Sequence, residues 1–405
     1  MEVMHPRCAA LDLGKDELVA CVRIQGSEHE CRGYRTTTSE LLKLSDWLGS
    51  WGVTHVVMEA TGSYWKAVWH VLEGSFDLIL ANAAHVRNVP GRKSDVNDAV
   101  WLSDLLAHGL IRGSFVPPEP IQELRDLTRT RKQLVREVVQ HTQRIQKVLD
   151  TANLKITGVV SDLLGVSGRL MLRALIAGET NPERLADLAQ GKLRAKRPRL
   201  IEGFHGRVTP HHRRLLKLHL TLIEQIEAAV SELDGQLEGA LEPFRDAVER
   251  VKVMPGIADV VAQGILAEIG LDMSRFPSHR HLLSWACLCP RLDRSAGRVH
   301  STRTRKGGLW LKTLLVQAAW SAVRCKDTYA RAQFLRIRAR RGPKKAIIAV
   351  AASMLTAIYY MLRDGTQYHD LGSQYFNHID RAKVAQRLVG RLNRLGYRVD
   401  LKEVA

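Results

Sequence analysis

Cysteine is scarce in this sequence, with six among 405 residues, and aromatic residues make up only 6%. The cysteines lack the spacing of a disulfide framework, and Cys287 and Cys289 stand one residue too close for a zinc-binding C-x-x-C pair. This composition excludes a small disulfide-stapled domain, and it predicts reduced thiols and a cytoplasmic location. The other four cysteines are Cys8, Cys21, Cys31 and Cys325.

The sequence also lacks a long apolar run of the kind that crosses or enters a membrane. The segment from Met1 to Arg7 has no apolar signal core. The most apolar stretch, Ala346 to Leu362, is shorter than a bilayer span and is closely flanked by charge. We therefore expect neither secretion nor membrane insertion.

Acidic residues are outnumbered by basic ones, since 42 Asp plus Glu face 60 Lys plus Arg and the formal net charge is +18. Such an excess favours a polyanionic partner, because basic side chains neutralise phosphates and release their counterions. Charge alone leaves a ribosome-associated or merely basic protein equally open. The length, with 45% hydrophobic residues, suffices for two or three domains with buried cores.

The first 115 residues predict an α/β domain, because short apolar strands alternate there with apolar-periodic helices. The predicted strands lie at 8–13, 18–24, 30–36, 55–59 and 76–80, and predicted helices begin at Thr38, Ser63 and about Ser94. The first three strands form an antiparallel meander, and βαβ segments follow them. This is the order of elements in a ribonuclease H-like domain.

Four acidic residues in this domain occupy positions suited to metal chemistry. Asp12 and Glu59 each stand at the end of an apolar strand, so their side chains can face one crevice. Asp95 and Asp98 are three residues apart and share one face of the helix that begins there. Clustered carboxylates repel one another unless a cation offsets them, and their hard oxygens suit one or two Mg²⁺ or Mn²⁺ ions.

Each of these acids also has an ordinary structural interpretation. Asp95 and Asp98 could be first-turn acids that offset the helix dipole. Asp12 could simply initiate the turn at Gly14. The order and spacing of all four residues, rather than any one of them, indicate a metal site.

Residues 116–245 predict two coiled-coil arms. Leucine, isoleucine and valine recur at alternating spacings of three and four from Ile121 to Leu154 and again from Leu216 to Leu237. Arg131 and His141 interrupt the first apolar seam. The arms could pair within one chain or across a dimer. The segment 156–210 between them is expected to form a tip, and its basic run fits either a solvated helix face or a nucleic-acid contact.

Residues 246–365 predict a mainly helical domain that opens with a hairpin. The sequence Pro255-Gly256-Ile257 is typical of a helix-hairpin-helix entry, in which turn amides around Gly256 grip a phosphate. A plain helix start with proline near its first turn explains the same residues. Residues 366–405 form a C-terminal extension to which the sequence assigns no role.

A serine in a basic loop is the second candidate for chemistry. Ser295 lies in the turn Ser295-Ala296-Gly297, whose cations could stabilise the charge that develops when Oγ attacks a phosphate. By itself such a serine is usually a turn residue. The surrounding cations are Arg291, Arg294, Arg298, Arg303, Arg305 and Lys306. A one-sided basic helix further along, with Arg338, Arg340 and Arg341, predicts a surface that follows phosphates.

Five ordered motifs together resemble those of the DEDD-type insertion-sequence transposases, also called bridge recombinases. The motifs are Asp12-Leu13-Gly14-Lys15-Asp16, Glu59-Ala60-Thr61-Gly62-Ser63-Tyr64, Lys93-Ser94-Asp95-Val96-Asn97-Asp98-Ala99, Pro255-Gly256-Ile257, and Leu288-Cys289-Pro290 followed by Ser295-Ala296-Gly297. The chain departs from the pattern at Ser94, where threonine is usual, and at Ala258, which replaces the second hairpin glycine.

The resemblance implies a RuvC-like (RNase H-like) N-terminal domain, a coiled-coil linker and a helical transposase domain. It implies that Asp12, Glu59, Asp95 and Asp98 bind Mg²⁺ or Mn²⁺ and that Ser295 is the nucleophile. The implied partners are donor and target DNA, an element-encoded guide (bridge) RNA and further copies of the chain, as a dimer or tetramer. The expected location is the cytoplasm of a bacterial-type cell, in association with the nucleoid.

Two other hypotheses stay open on the sequence. A junction-resolving nuclease would use only the four carboxylates, with water as its nucleophile. A non-catalytic nucleic-acid-binding scaffold would need neither the acids nor the serine, although four intact acids argue against a decayed nuclease.

Overall fold

The computed structural model describes residues 3–23, 28–60, 62–81, 98–290, 293–295, 298–301, 303–305, 307–379 and 381–401. The chain divides into two compact units, Met1–Val116 and Pro117–Ala405. The first unit carries the five-stranded sheet described below, and the predicted domain boundary at residue 115 stays a prediction. The predicted division of the second unit near residues 245 and 365 stays a prediction.

The first unit is a five-stranded mixed sheet in the order β3-β2-β1-β4-β5. Strand β1 pairs antiparallel with β2 and parallel with β4, and β5 extends the parallel part. The strands are β1 Cys8–Leu13, β2 Glu17–Arg23, β3 His29–Arg35, β4 His55–Glu59 and β5 Asp77–Ala81. The helices among the described residues of this unit are α1 Thr38–Ser50, α2 Trp65–Leu72 and α3 Asp98–Ala107. This mixed sheet, followed by a mostly helical region, is consistent with the predicted ribonuclease H-like domain.

Alternation along the central strands separates the two faces of this sheet, because successive side chains of a strand point to opposite sides. Leu11 and Met58 pack in the core that α1 and α2 cover, together with Leu44 and Leu72. Residues on the other face pack against α3 instead. They are Cys8, Ala10, Val57 and Ala81, with Leu102, Leu106 and Ala107 of the helix.

Two cysteines of the meander correct the expectation that all thiols are reduced. Cys21 and Cys31 form a disulfide between β2 and β3. They are ten residues apart in sequence, but the antiparallel register places them directly opposite each other. Cross-strand partners in such a ladder have closely spaced Cβ atoms, which is why strand pairing rather than motif spacing brings the two sulfurs together.

The second unit is mostly helical. Its long helices are α4 Glu119–Thr151 and α8 Pro210–Leu241, with α5 Val166–Ala177, α6 Pro182–Asp187 and α7 Arg197–Gly203 between them. The remaining helices are α9 Arg245–Lys252, α10 Asp259–Ile269, α11 His279–Trp285, α12 Leu309–Ala322, α13 Tyr329–Arg341, α14 Pro343–Asp364, α15 Tyr375–Ile379 and α16 Arg381–Arg394. Short 3-10 turns lie at Ile156–Gly158, Gly191–Lys196, Glu242–Phe244 and Met273–Arg275, and the hairpin strands are β6 Asp293–Ser295 and β7 Arg298–Ser301.

The long helices α4 and α8 pack against each other within one chain and run antiparallel. The two polar residues of the predicted seam find partners across this contact. Arg131 forms a bidentate ion pair with Asp234. The Nδ1 atoms of His141 and His219 lie 3.1 Å apart. Intramolecular pairing is therefore present, whereas a supercoiled coiled-coil geometry stays a prediction.

The segment 156–210 folds as a small helical tip whose core is continuous with the ends of both arms. Leu172, Leu185 and Phe204 are buried there together with Ile145 and Ile223 of the arms. Part of its basic run is used inside the protein. Arg197 pairs with Asp187 at 2.6 Å, and Lys196 donates to the Val159 carbonyl at 3.2 Å. These contacts favour a structural interpretation for those two residues.

Helix α14 contains the apolar stretch that we expected to be shorter than a bilayer span. The helix itself has 22 residues, and its length and composition are sufficient to cross a membrane. Half of its most apolar window is buried inside the protein, and the helix packs against α11, α12 and α13. Such burial is typical of the core helix of a helical domain.

Candidate active-site residues and nucleic-acid surface

Asp12 and Glu59 lie at neighbouring ends of two parallel strands. The register pairs Leu11 with Met58, so the next position along both strands brings Asp12 opposite Glu59. Ala10 and Val57, two residues earlier, both face helix α3. Because side chains alternate, Asp12 and Glu59 belong to that same face. Asp12 is exposed and Glu59 is half-buried.

Helix α3 brings Asp98 to the same edge of the sheet. Its last residue, Ala107, accepts hydrogen bonds from the amides of Met4 and His5, just before β1 begins. The helix therefore runs antiparallel to β1. It rises about 14 Å from Ala107 back to Asp98, and β1 advances about 13 Å from Cys8 to Asp12. Asp98 thus opens the helix at the strand end where Asp12 lies.

The donor chemistry of this edge suits a hard divalent cation, since carboxylate oxygens are what Mg²⁺ and Mn²⁺ prefer. Within the described ranges, no group of three or more histidine, cysteine or acidic side chains is close enough to hold an ion. Asp95, the fourth predicted ligand, lies outside the described residues. The fold brings three of the four acids to one face and one edge, and metal binding stays a prediction.

Ser295 ends the first strand of a short hairpin. Strands β6 and β7 pair antiparallel, with Ser295 opposite Arg298 next to the turn. A bridge between Pro290 and Thr304 closes the base of the hairpin. Lys312 of helix α12 donates a hydrogen bond of 2.7 Å to Oγ1 of Thr304. The backbone thus presents Ser295 at the tip of a hairpin whose base is tied to α12.

The predicted cations around the serine are only partly described. Arg298, Arg303 and Arg305 are exposed. Arg305 lies near Cys289, where burial raises the pKa of the thiol and the guanidinium opposes that shift. Arg291 and Lys306 lie outside the described residues, and for Arg294 only the backbone is described. The exposed arginines leave the hairpin able to meet a polyanion.

Gly256 occupies the turn between α9 and α10, so the predicted helix–turn–helix order is present. Its φ of +87° lies in the region that favours glycine. A Cβ built there would come within 2.4 Å of the Ala318 carbonyl oxygen and 2.6 Å of the Ala322 nitrogen in α12. Close helix packing therefore accounts for the glycine, and a phosphate grip by this turn stays a prediction.

The basic helix α13 has arginines with different surroundings. Arg336 lies over the ring of Phe376 at 5.0 Å, and Arg338 lies over Phe334 at 5.6 Å. Arg340 and Arg341 are exposed at the C-terminal end of the helix. Since a cation on an aromatic face keeps its charge, all four arginines contribute to a positive surface. Nucleic-acid binding by this surface stays a prediction.

The C-terminal extension begins with a segment that is fastened to α13. One oxygen of Asp370 accepts from the backbone amides of Tyr329 at 2.9 Å and Gly372 at 2.7 Å. Its other oxygen accepts from the Tyr368 hydroxyl at 3.0 Å. Asp370 thus ties the extension to the start of the basic helix.

A group of cations on α4, which was not predicted from the sequence, converges on one tryptophan. Arg129, Lys132 and Arg136 lie 5.4, 5.9 and 5.5 Å from the ring centroid of Trp310. Their spacing of three and four residues was available as a signal, because it places them on one helix face. The apolar residues of the same helix, which have the same three-and-four spacing, were interpreted instead of these cations.

Comparison with known protein families agrees with these features. A family model described as "Transposase" matches residues 9–154, which include Asp12, Glu59, Asp95 and Asp98. A second model, described as "Transposase IS116/IS110/IS902 family", matches residues 248–335, which include Gly256 and Ser295. The two matches cover the carboxylate edge and the serine hairpin.

Individual relatives carry related names. A Pseudomonas aeruginosa protein named "Probable family 20 transposase" is 26% identical over 314 residues, which are 76% of this chain and 83% of the relative. The Streptomyces coelicolor "Insertion element IS110 uncharacterized 43.6 kDa protein" is 30% identical over 148 residues, 36% of this chain and 35% of the relative. The Mycobacterium paratuberculosis "Insertion element IS900 uncharacterized 42 kDa protein" is 28% identical over 147 residues, 36% of each chain.

These matches define the class of protein as a transposase, an enzyme that cuts and transfers DNA. Within that class, the chain belongs to the family of IS110-type insertion-sequence transposases.

Proposed function

We propose that this protein is an RNA-guided DNA recombinase that moves an insertion sequence between donor and target DNA. Asp12, Glu59, Asp95 and Asp98 hold Mg²⁺ or Mn²⁺, and Ser295 attacks a DNA phosphate. The observation that carries the proposal is the convergence of Asp12, Glu59 and Asp98 on one face and one edge of the sheet. An exposed edge lined by acids disfavours a polyanion unless cations are bound there.

The serine step conserves the energy of the phosphodiester bond. Oγ of Ser295 loses its proton to solvent and bonds to phosphorus, while the bond from phosphorus to one sugar oxygen breaks. That oxygen takes up a proton and leaves as a free hydroxyl end. Attack of a different hydroxyl end on the phosphoserine reverses the step and rejoins the strands without ATP. A bound metal ion would stabilise the charge that develops on the phosphate.

The chain's own residues supply the surroundings of this step. Arg298, Arg303 and Arg305 place positive charge around the hairpin that carries Ser295. Base pairing by the guide RNA selects the DNA sites, and the basic surface of α13 holds the nucleic-acid backbone. Donor and target must be held together, and a homo-oligomer serves that need.

The test is a search for a covalent protein–DNA adduct. Purified full-length protein is incubated with its element-derived RNA, Mg²⁺ and matched labelled donor and target DNAs, and a protease-sensitive adduct is measured. Ser295→Ala should abolish the adduct, whereas Ser301→Ala, in the other strand of the same hairpin, should retain it. Asp12→Asn and Asp98→Asn should abolish both the adduct and cleavage, whereas Asp46→Asn, on a helix against the opposite sheet face, should not.

A second function, a metal-dependent junction-resolving nuclease, is favoured by the placement of the carboxylates in a unit of their own. It would use water as the nucleophile. Free cleaved ends from both wild type and Ser295→Ala, with no adduct from either, would establish that function and remove the recombinase. Omitting the RNA tests the guide separately, since cleavage that does not depend on it contradicts RNA guidance.

A further inference from the structure

Helix α4 presents a stripe of cations on the face that meets α10 and the start of α12. Arg125, Arg129, Lys132 and Arg136 follow one another at spacings of four, three and four residues, so they share that face. The charged ends of the last three converge on the ring of Trp310, at 5.4 to 5.9 Å from its centroid.

The stripe carries more positive charge than its surroundings offset. Glu268 holds Arg129 in a bidentate pair at 2.7 and 2.8 Å and lies 3.6 Å from Arg125. In the part of the chain that the structure describes, no other carboxylate lies within ion-pair distance of Arg129, Lys132 or Arg136. The group of Arg129, Lys132, Arg136 and Trp310, here called the Trp310 cluster, is therefore short of negative charge.

Lys132 shows this shortage most clearly. Its Nζ atom is buried and makes no hydrogen bond with the described residues. Burial lowers the pKa of Lys132, and the neighbouring Arg136 lowers it further. A buried ammonium without a partner is costly, so such groups are normally paired with an anion.

The backbone adds positive charge at the same place. Trp310 is the second residue of α12, a helix of 14 residues that begins at Leu309. The first amide bonded within this turn is that of Lys312, which donates to the Gly308 carbonyl at 2.9 Å. The amides before it form the positive end of the helix dipole. The hairpin that carries Ser295 closes at Thr304, which Lys312 of the same helix binds.

We propose that the Trp310 cluster binds a backbone phosphate of the DNA strand whose neighbouring phosphate Ser295 attacks. A phosphodiester supplies the missing negative charge. Its oxygens accept from the exposed Arg136 guanidinium and from Lys132 Nζ, whose flexible stem turns toward the strand on binding, and the indole shields these contacts from water. Arg136 is exposed, so the cluster is open to a strand from solvent. DNA is the favoured source of the bound phosphate, because the hairpin tied to α12 carries the proposed nucleophile. In this respect the inference rests on the proposed function.

The experiment compares Lys132→Gln with Lys147→Gln in the full-length protein. Both variants remove one positive charge from α4, but Lys147 is exposed near the tip and lies outside the cluster. Affinity for the matched target duplex is measured by fluorescence anisotropy over a range of salt concentrations. Lys132→Gln should weaken binding about tenfold and reduce the slope of log K against log salt by about 1. Lys147→Gln should change affinity less than about twofold.

Each other outcome overturns the inference. Equal affinities and equal salt slopes for the two variants would show that the cluster is an internal structural feature. A higher melting temperature for Lys132→Gln with unchanged DNA binding would show the same. A loss of affinity for duplex RNA but not for duplex DNA would remove the assignment to DNA.

Lys132→Arg keeps the positive charge and should therefore retain binding. This control separates the loss of charge from misfolding.

This binding assay is independent of the adduct assay. Absence of an adduct in the wild type would remove the recombinase proposal and leave the comparison of Lys132 with Lys147 intact. An adduct that forms while Lys132→Gln binds DNA normally would remove only the role of the Trp310 cluster.

Discussion

Glu268 is the most deeply buried carboxylate among the residues that the structure describes, with only 3% of it exposed, although glutamate usually prefers solvent. It accepts both hydrogen bonds of the Arg129 fork, while Arg125 donates to its main-chain carbonyl at 2.6 Å. Burial lowers the pKa of Arg125 to about 10, and the Glu268 carboxylate opposes that shift. Glu268 thus joins α4 to α10 through charges that have little water around them.

We expect Glu268→Gln to destabilise the second unit by about 3 kcal/mol, because removing one partner leaves buried arginine charge uncompensated. Chemical denaturation monitored by circular dichroism measures the loss. Glu249→Gln removes an exposed carboxylate that pairs with Lys252, so this variant is the matched control and should have a far smaller effect. Equal losses for the two variants would show that Glu268 contributes no more than a surface pair.

Gly256 allows a direct comparison of packing with phosphate binding. Gly256→Ala places a methyl group against the backbone of α12 and should cost about 2 kcal/mol or more. Gly365→Ala also has a positive φ but meets nothing within 4 Å, so it should cost only the strain of about 1 kcal/mol. Thermal unfolding of both variants measures the difference. A Gly256→Ala protein that unfolds normally but loses DNA binding would instead support the phosphate grip.

At the scale of elements, the two long helices are held in register by polar pairs as well as by apolar contacts. Arg131 with Asp234 and His141 with His219 each link α4 to α8, and a shift of either helix would separate them. Further pairs fasten the tip to α8, with Arg169 bound to Glu227 and Arg173 to Glu224. Several specific pairs along one contact define a single alignment, as polar seam residues do in other helix pairs.

The histidine pair makes this alignment sensitive to pH. Burial, followed by the charges of His141 and Arg144, lowers the pKa of His219 in the folded protein below its ordinary value of 6.5. A lowered pKa means that the folded state binds the proton more weakly than the unfolded state does. The stability contribution is therefore fully present above about pH 6.5 and is lost as the pH falls through the folded pKa.

We expect the free energy of unfolding to decrease as the pH is lowered from 7.5 to 5.5. These two values bracket the usual histidine pKa of about 6.5. His219→Gln should flatten this dependence, whereas His211→Gln, exposed on the same helix, should preserve it. Urea denaturation at each pH measures the effect. A wild-type protein that is equally stable at both pH values would contradict the contribution of this pair.

At the scale of the whole molecule, the candidate chemistry is divided between two compact units. The carboxylate edge belongs to the first, and the serine hairpin, the Trp310 cluster and the basic helix belong to the second. The net charge of +18 coexists with an acidic edge on the sheet. Such an edge in a basic protein favours divalent cations over nucleic acid at that one place.

Metal binding should therefore change hydrogen exchange locally, in the first unit. We expect Mg²⁺ to slow hydrogen exchange at the ends of β1 and β4, because ligand binding stabilises the closed strand ends. Asp12→Asn should abolish this protection, and Asp46→Asn should retain it. Hydrogen exchange followed by mass spectrometry localises the change. Protection that spreads equally over the second unit, or that persists in Asp12→Asn, would contradict a site at this edge.

Local sequence patterns were sufficient for much of the fold. Short apolar runs bounded by turn residues predicted the strands of the first unit to within about two residues, and periodic apolar residues predicted both long helices. The positions of Asp12 and Glu59 at strand ends followed from the same patterns. These features depend on neighbouring residues, whose side-chain direction is set by the repeat of the strand or helix.

Tertiary structure alone decided which distant residues meet. It paired the two arms within one chain, joined Cys21 to Cys31 through strand register, and brought Trp310 onto the cations of α4. It also gave Gly256 a packing role against α12 that its turn sequence did not reveal. The physical reason is that a local pattern specifies the direction of a side chain, whereas its partner depends on how whole elements pack.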